Sequence, residues 1–477
     1  MKLDDFRKYA HDLVDWMVDY QTNVIKYPVK SHSQPGDIFR QLSSTPPEHS
    51  ENFENIFNDF LNIILPGVTH WQHPKFFAYY PSNTSPPSIL AEMLMATLGL
   101  QCMSWQTSPS ATELEEKVMQ WLVQLLGLPS YFIGVIQESA SSATLCSLLT
   151  AREQASHYQI NQFGLYTQKP FTLYCSAEAH SSIEKAVKIA GLGCHYLRKI
   201  PVDSHFSMRT DLLKLSILED KKNGLQPLWV VAALGTTGST AFDHLHEIAE
   251  ICKQHDIWLH VDAAYAGTAF LLPEMRYLMK GIENVDSFVF NPHKWMLTNF
   301  DCSAYFVKNK KALIKCFEIL PEYLKTEEGE FVNNYRDWGI SLGRRFRALK
   351  LWFVIRSYGV KNLQNLIRNH IKLAQMFASK IFETPHFELM APVILNNICF
   401  RYHPTEIENS THLNELNAQL LKILNDTGKI YLTHTKLNDN YVLRLVIAQT
   451  TVKEEHIDDV WELIQKVGLD IDKTFHI

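Results

Sequence analysis

Apolar residues recur at helical spacing near the start of the chain. Phe6, Tyr9, Leu13, Trp16 and Tyr20 share one face and predict an amphipathic helix over residues 5–20. A polar stretch containing Pro28, Pro35, Pro46 and Pro47 follows and reads as an extended linker. The helix is therefore expected to pack far from where it starts, with another subunit as a candidate partner. From about residue 110 the pattern becomes that of an α/β protein. Ser110 and Glu113 read as a capping box before the stripe Leu114, Val118, Trp121 and Leu125, and Gly127 ends the helix. Short, almost wholly apolar runs predict strands at Thr172–Cys175, Leu228–Leu234, Ile257–Val261, Ser287–Phe290 and Ser303–Val307, with helices such as His180–Ala190 and Leu245–Gln254 between them. Apolar strands alternating with helices imply a mostly parallel sheet covered on both faces. Near the end, Tyr441–Ile447 alternates, with Arg444 on one face and Leu443, Leu445 and Ile447 on the other. This suits an antiparallel sheet with one wet face. A last helix carries Ile457, Val460, Trp461 and Ile464. The expected organisation is an N-terminal helical segment (1–85), a large α/β domain (86–360) and a small C-terminal α+β domain (361–477).

Composition narrows the classes. The 477 residues are 46% apolar, enough for a large buried core. Lys plus Arg number 45 against 51 Asp plus Glu, and this mild acidity gives no electrostatic reason to expect nucleic acid or an anionic membrane. No apolar run reaches the roughly 20 residues of a membrane span, and the first residues carry no signal-peptide core, so a cytoplasmic protein is expected. The eight cysteines are scattered without a CxxC pair and read as reduced core residues. His70 and His73, and His244 and His246, lack the further ligands of a metal site, and no metal is expected.

Chemistry concentrates where the predicted strands end. Ser287–Phe290 leads into Asn291-Pro292-His293-Lys294-Trp295, placing Lys294 at a strand's carboxyl end, where open α/β sheets bind ligands. An isolated lysine is usually solvated; one among aromatic rings can be desolvated, which lowers an amine pKa and makes it a nucleophile. Ile257–Val261 ends at Asp262, a carboxylate able to hold a proton on the nitrogen of a pyridine ring. At an effective dielectric near 20 such a pair is worth on the order of 4 kcal/mol. Gln137-Glu138-Ser139-Ala140-Ser141-Ser142 offers small residues at a helix start, a phosphate site. Thr237 ends another strand, and His180 follows Thr172–Cys175, placed to stack on a flat ring. Each feature alone has a plain structural explanation. Four of them at four strand ends point to pyridoxal 5′-phosphate.

Together these residues resemble the group II pyridoxal-phosphate decarboxylases, nearest to the aromatic-L-amino-acid (DOPA, tyrosine, tryptophan) decarboxylases, over nearly the whole chain. The resemblance rests on Pro66-Gly67-Val68-Thr69-His70-Trp71, Thr112-Glu113-Leu114-Glu115, Val261-Asp262-Ala263-Ala264-Tyr265-Ala266-Gly267, Asn291-Pro292-His293-Lys294-Trp295 and Gly343-Arg344-Arg345-Phe346-Arg347. It implies a fold-type I homodimer with active sites at the subunit interface. It implies that Lys294 carries the cofactor, Asp262 pairs with its pyridinium and His180 stacks on its ring, with Ala264 against the other face. It further implies that Ala140, Ser141 and Asn291 hold the phosphate, that His293 lies beside the lysine and that Thr237 lies near the ring. Tyr323, in the polar segment Leu320–Phe331, matches the tyrosine that protonates the substrate α-carbon in a catalytic lid. Trp71, Tyr79, Tyr80, Ser82, Met103 and Gly343 match the substrate pocket. Glu138, Ser82 and Met103 depart from the relatives' usual residues.

The implied reaction is decarboxylation of an aromatic L-amino acid to an arylalkylamine. Rival readings are an aldehyde synthase of the same family, a decarboxylase of acidic substrates and a cofactor-binding protein without catalysis. His180 and Tyr323 speak against the first, the lack of an arginine between Trp71 and Met103 against the second, and Tyr323 against the third.

Overall fold

The computed structural model describes residues 1–166, 168–319 and 331–475. Seven strands form the main sheet: β1 (Ile133–Gln137), β2 (Phe171–Ser176), β3 (Leu197–Ile200), β4 (Gln226–Ala233), β5 (Trp258–Asp262), β6 (Ser287–Phe290) and β7 (Ser303–Val307). Their order is β1-β7-β6-β5-β4-β2-β3. β3, β2, β4, β5 and β6 are parallel neighbours, and β7 runs antiparallel to both β6 and β1. The carboxyl ends of β1, β2, β4, β5 and β6 consequently share one edge, and β7 starts from it, with Ser303 opposite Gln137. Every residue of β2, β5, β6 and β7 is buried, as expected for strands covered on both faces.

The five strands read from the sequence are all present, with ends shifted by a residue or two; β1 and β3 were not anticipated. The capping box is not. Pro109 occupies the first turn of helix Pro109–Leu126, so the N-cap is Ser108 and Ser110 lies inside the helix. Glu113 accepts a hydrogen bond from the Trp105 indole at 2.9 Å instead.

One flank of the sheet is covered by helix Ala140–Ala155, whose Leu145, Leu148 and Ala151 pack with Ile183 and Val187 of helix Ser182–Ile189 and with Leu173, Trp229 and Val231. Trp229 is fully buried and its indole donates to Ser147 Oγ at 3.1 Å. Trp229→Ala leaves a large cavity and takes one donor from the Ser147 hydroxyl, which keeps Trp258 and Ser287 as partners. It is expected to cost about 3–5 kcal/mol, read as a lower urea midpoint with unchanged slope.

A second sheet contains β8 (Phe387–Leu389), β9 (Asn397–Tyr402), β10 (Thr433–Leu437) and β11 (Asn440–Val446), in the order β10-β11-β9-β8. The β8–β9 and β10–β11 pairs are antiparallel. The expected wet face of β11 is not there. Arg444 is 3% exposed, lies over the Tyr80 ring at 5.2 Å and donates to Thr433 Oγ1 at 3.1 Å. A guanidinium stacked on an aromatic ring tolerates burial that a lone charge would not.

By compactness the chain divides into one unit of Met1–Pro81, Leu373–Met390 and Ile398–Ile477 and another of Ser82–Lys372 and Ala391–Asn397. In the first, helix Leu3–Asn23 finds partners in its own chain. Tyr9 meets Phe53, Trp16 meets Phe57 and Phe60, and the Tyr20 hydroxyl lies 2.8 Å from His70 Nδ1. No helix among the described residues is long and apolar enough to cross a membrane.

Candidate active site

The loops leaving the carboxyl edge of the main sheet assemble the site within the second unit. Asp262 is the last residue of β5, paired with Ala233 on one side and Val289 on the other. The residue is 9% exposed, and its carboxylate accepts a hydrogen bond from the Ala264 N–H to Oδ1 at 3.0 Å. Among the described residues it forms no ion pair, so a cation supplied by a ligand fits the remaining oxygen. Beneath it on β5, His260 is fully buried, with Nδ1 2.9 Å from Ser287 Oγ. Burial pushes its pKa down to about 4, so it is neutral near pH 7 and does not compete for the charge of Asp262.

Two glycines allow the surrounding turns. Gly235, just after β4, has φ +92°, and a Cβ there would lie 2.5 Å from Ala266 Cβ. At Gly267 a Cβ would lie 2.3 Å from Phe290 Cβ, so this glycine lets the turn after β5 close onto the end of β6.

Lys294 sits in the short helix Pro292–Trp295, capped by Asn291 immediately after β6. The sequence suggested a turn; Pro292 at the first position instead starts a helical one. The buried Asn291 side chain accepts from Ser303 Oγ at 2.6 Å, tying the start of this helix to the start of β7. His293 is 4% exposed and clamped by the backbone of one residue: its N–H donates to Cys302 O at 3.2 Å, and its Nδ1 accepts from Cys302 N–H at 2.9 Å. Burial, reinforced by the Lys294 charge, pushes its pKa down to about 3. The imidazole is thus neutral, with its proton on Nε2.

His180 follows β2 and is exposed. Its Nδ1 accepts from Ser182 N–H at 3.1 Å, which also leaves the ring proton on Nε2. Desolvation lowers its pKa; Asp262 opposes that shift and Lys294 adds to it, so both charges lie within electrostatic reach of the ring. Ser139 caps helix Ala140–Ala155 through Ser142 N–H at 3.2 Å. The N–H groups of Ala140 and Ser141 belong to the first turn of that helix, where no intrahelical acceptor exists. The charge of the neighbouring Glu138 is felt by buried Arg347. Thr237 is exposed and Ala264 partly exposed on the same edge.

Met103 and Gly343 are brought close by two adjacent pairings. Cys102 N–H donates to Arg344 O at 3.0 Å, and Gln101 Oε1 accepts from Arg344 N–H at 2.6 Å. Ser82 is partly buried in the same unit. Trp71, Tyr79 and Tyr80 belong to the first unit, where Trp71 and Tyr79 stack with ring centres 5.8 Å apart. Tyr323 lies outside the described residues. Sequence reasoning missed Asp243, which is 2% exposed and accepts from Ala233 N–H at 2.7 Å and Met208 N–H at 2.7 Å, holding the end of β4. Burial raises its pKa to about 6. Among the described residues no group of three or more His, Cys, Asp or Glu side chains is arranged to hold a metal ion.

A lysine after β6, an ion-pair-free carboxylate ending β5, a ring-presenting histidine after β2 and a helix start after β1 fit the amine, cation, ring and phosphate contacts that pyridoxal phosphate requires. Fold and site define the class of fold-type I pyridoxal-phosphate enzymes. Residues 35–403 match the family model described as the pyridoxal-dependent decarboxylase conserved domain, and the chain belongs to that family. It is 43% identical over 480 residues to the aromatic-L-amino-acid decarboxylase of Mus musculus, covering 97% of each chain. It is 42% identical over 476 residues to the phenylacetaldehyde synthase of Arabidopsis thaliana, covering 98% of this chain and 96% of that one. The crystal structure of Catharanthus roseus tryptophan decarboxylase in complex with L-tryptophan superposes with a TM-score of 0.93 at 38% identity, covering 99% of both chains. The protein is a pyridoxal-phosphate-dependent carboxy-lyase.

Proposed function

We propose that this enzyme removes the α-carboxyl group of an aromatic L-amino acid, releasing carbon dioxide and the arylalkylamine, with its cofactor carried on Lys294. The observation that carries the reading is the placing of Lys294, the Asp262 carboxylate and His180 at one sheet edge, with both charges within electrostatic reach of His180. Bound pyridoxal phosphate supplies the electron sink that accepts the pair left when the carboxylate departs. Asp262 holds the proton on the pyridine nitrogen. His180 and Ala264 would hold the cofactor's ring. Ala140, Ser141 and Asn291 bind the phosphate, and His293 and Thr237 line the site beside the lysine and the ring. Tyr323 would donate a proton to the substrate α-carbon, and Lys294 would hold the cofactor by its amine.

An aromatic substrate is supported by the decarboxylases that this chain resembles and by the aromatic residues Trp71, Tyr79 and Tyr80 that match theirs. A homodimer with active sites at its interface is supported by the apolar side chains on helix Pro86–Leu98, where Leu90, Met93, Leu94 and Leu98 are 38–56% exposed. A cytoplasmic location agrees with eight cysteines that are all free. Sedimentation at micromolar concentration reads the dimer; a monomer at all concentrations would remove it.

The deciding experiment is a carbon dioxide release screen of tyrosine, DOPA, tryptophan, 5-hydroxytryptophan, phenylalanine, histidine and glutamate with added cofactor. Release from the aromatic substrates is expected. Release from glutamate alone, or from none, defeats the reading. The aldehyde synthase among the relatives makes hydrogen peroxide a necessary second readout. In Tyr323→Phe the product is expected to shift from amine toward aldehyde, accompanied by peroxide. An unchanged amine yield rules out Tyr323 as the proton donor.

A further inference from the structure

We propose that Lys350 is a positioning residue for His293 and Lys294, acting through the backbone of residues 299–302. Its side chain has no solvent exposure, and burial lowers its pKa to about 8, so it remains a cation near neutral pH. The ammonium donates to the carbonyl oxygens of Asn299 at 3.1 Å and Asp301 at 3.0 Å, and lies 3.2 Å from the Glu92 carboxylate. These are the three contacts an ammonium can donate to. Glu92 also accepts from Asn299 Nδ2 at 3.3 Å, and Asn299 N–H donates to Ser88 Oγ at 2.9 Å, so helix Pro86–Leu98 holds the same turn from the other side. The Asp301 carboxylate is held by Arg347 at 2.9 Å and Arg345 at 3.3 Å.

The next residue is the one that grips His293. Cys302 donates to its ring and accepts from its backbone, and the Phe300 ring lies 4.8 Å from the imidazole. Lys294 is covalently next. A chain of contacts therefore runs from a buried cation to the turn carrying the lysine, with every link a hydrogen bond, an ion pair or a peptide bond. Removing Lys350 takes from the Asn299 and Asp301 carbonyls and the partly buried Glu92 carboxylate the donor that they share, and the 299–302 backbone loosens. His293 then loses its fixed tautomer and Lys294 its fixed position.

This inference rests on Lys294 as the cofactor-bearing lysine, which borohydride labelling of the unaltered protein reads separately. The test uses the full-length protein with Lys350→Met. Cofactor affinity is measured by fluorescence titration of the stripped protein with pyridoxal phosphate. Amide hydrogen exchange is followed by mass spectrometry without cofactor. The expected result is a dissociation constant raised about tenfold or more, with exchange accelerated at residues 299–302 and unchanged in β2, β4 and β5. If Lys350→Met does not fold, Lys350→Gln, which keeps a two-donor head without charge, is read in the same way. An unchanged dissociation constant in the variant that folds overturns the proposal. So does exchange that rises evenly across the chain, which marks a merely structural loss.

Discussion

Lys294→Ala is expected to lower turnover by on the order of 10⁴-fold or more while leaving the fold intact. Among the described residues no other lysine is placed at the end of β6. The alanine variant also loses the borohydride-reducible link between protein and cofactor. Peptide mapping of reduced, unaltered enzyme should put the label on residue 294. A label on another lysine, or turnover within tenfold of the unaltered enzyme, removes the foundation of the mechanism. Far-ultraviolet circular dichroism separates this result from unfolding. The short helix Pro292–Trp295 is tied to β7 through Asn291, Ser303 and Cys302, so the variant should keep its spectrum.

The second large effect is expected at Asp262. Asp262→Asn keeps the size and the acceptor for Ala264 N–H but removes the charge that holds the pyridine proton. A charge pair at a few Å and an effective dielectric near 20 is worth on the order of 4 kcal/mol, or roughly 10³-fold in rate. The loss should fall mainly on kcat, because the protonated ring matters most when the electron pair is released. The cofactor should still bind through Lys294 and the helix start at Ala140 and Ser141. Full activity with asparagine at 262 would mean that another group protonates the ring. His260 is the nearest titratable residue on the strand, but its pKa near 4 leaves it neutral and unsuited to that task.

Much of the architecture was readable from local pattern because its causes are local. β2, β4, β5, β6 and β7 are buried on both faces and so appear as continuous apolar runs between helical periods. The place of Lys294, Asp262 and His180 at one sheet edge was readable because each stands at, or within four residues of, the end of such a run, and strand ends are where α/β folds place ligands. β1 and β3 escaped because Ile133–Gln137 and Leu197–Ile200 are short and contain glycine or charged residues. The capping box at Ser110 failed because Pro109, one residue earlier, moved the helix start.

What the sequence determined by itself is the sheet edge at which Lys294, Asp262 and His180 stand, since this follows from the order of apolar runs and the residues ending them. Tertiary structure alone decided which polar groups are buried and who satisfies them. Arg444 alternates like a wet-face residue yet lies under Tyr80. Asp243 follows an ordinary strand yet holds the end of β4. Lys350 stands in a helix beside other basic residues and is nonetheless fully enclosed. The partners of these groups are distant along the chain, and the energy of a buried charge depends on what surrounds it in space, which one-dimensional spacing does not encode.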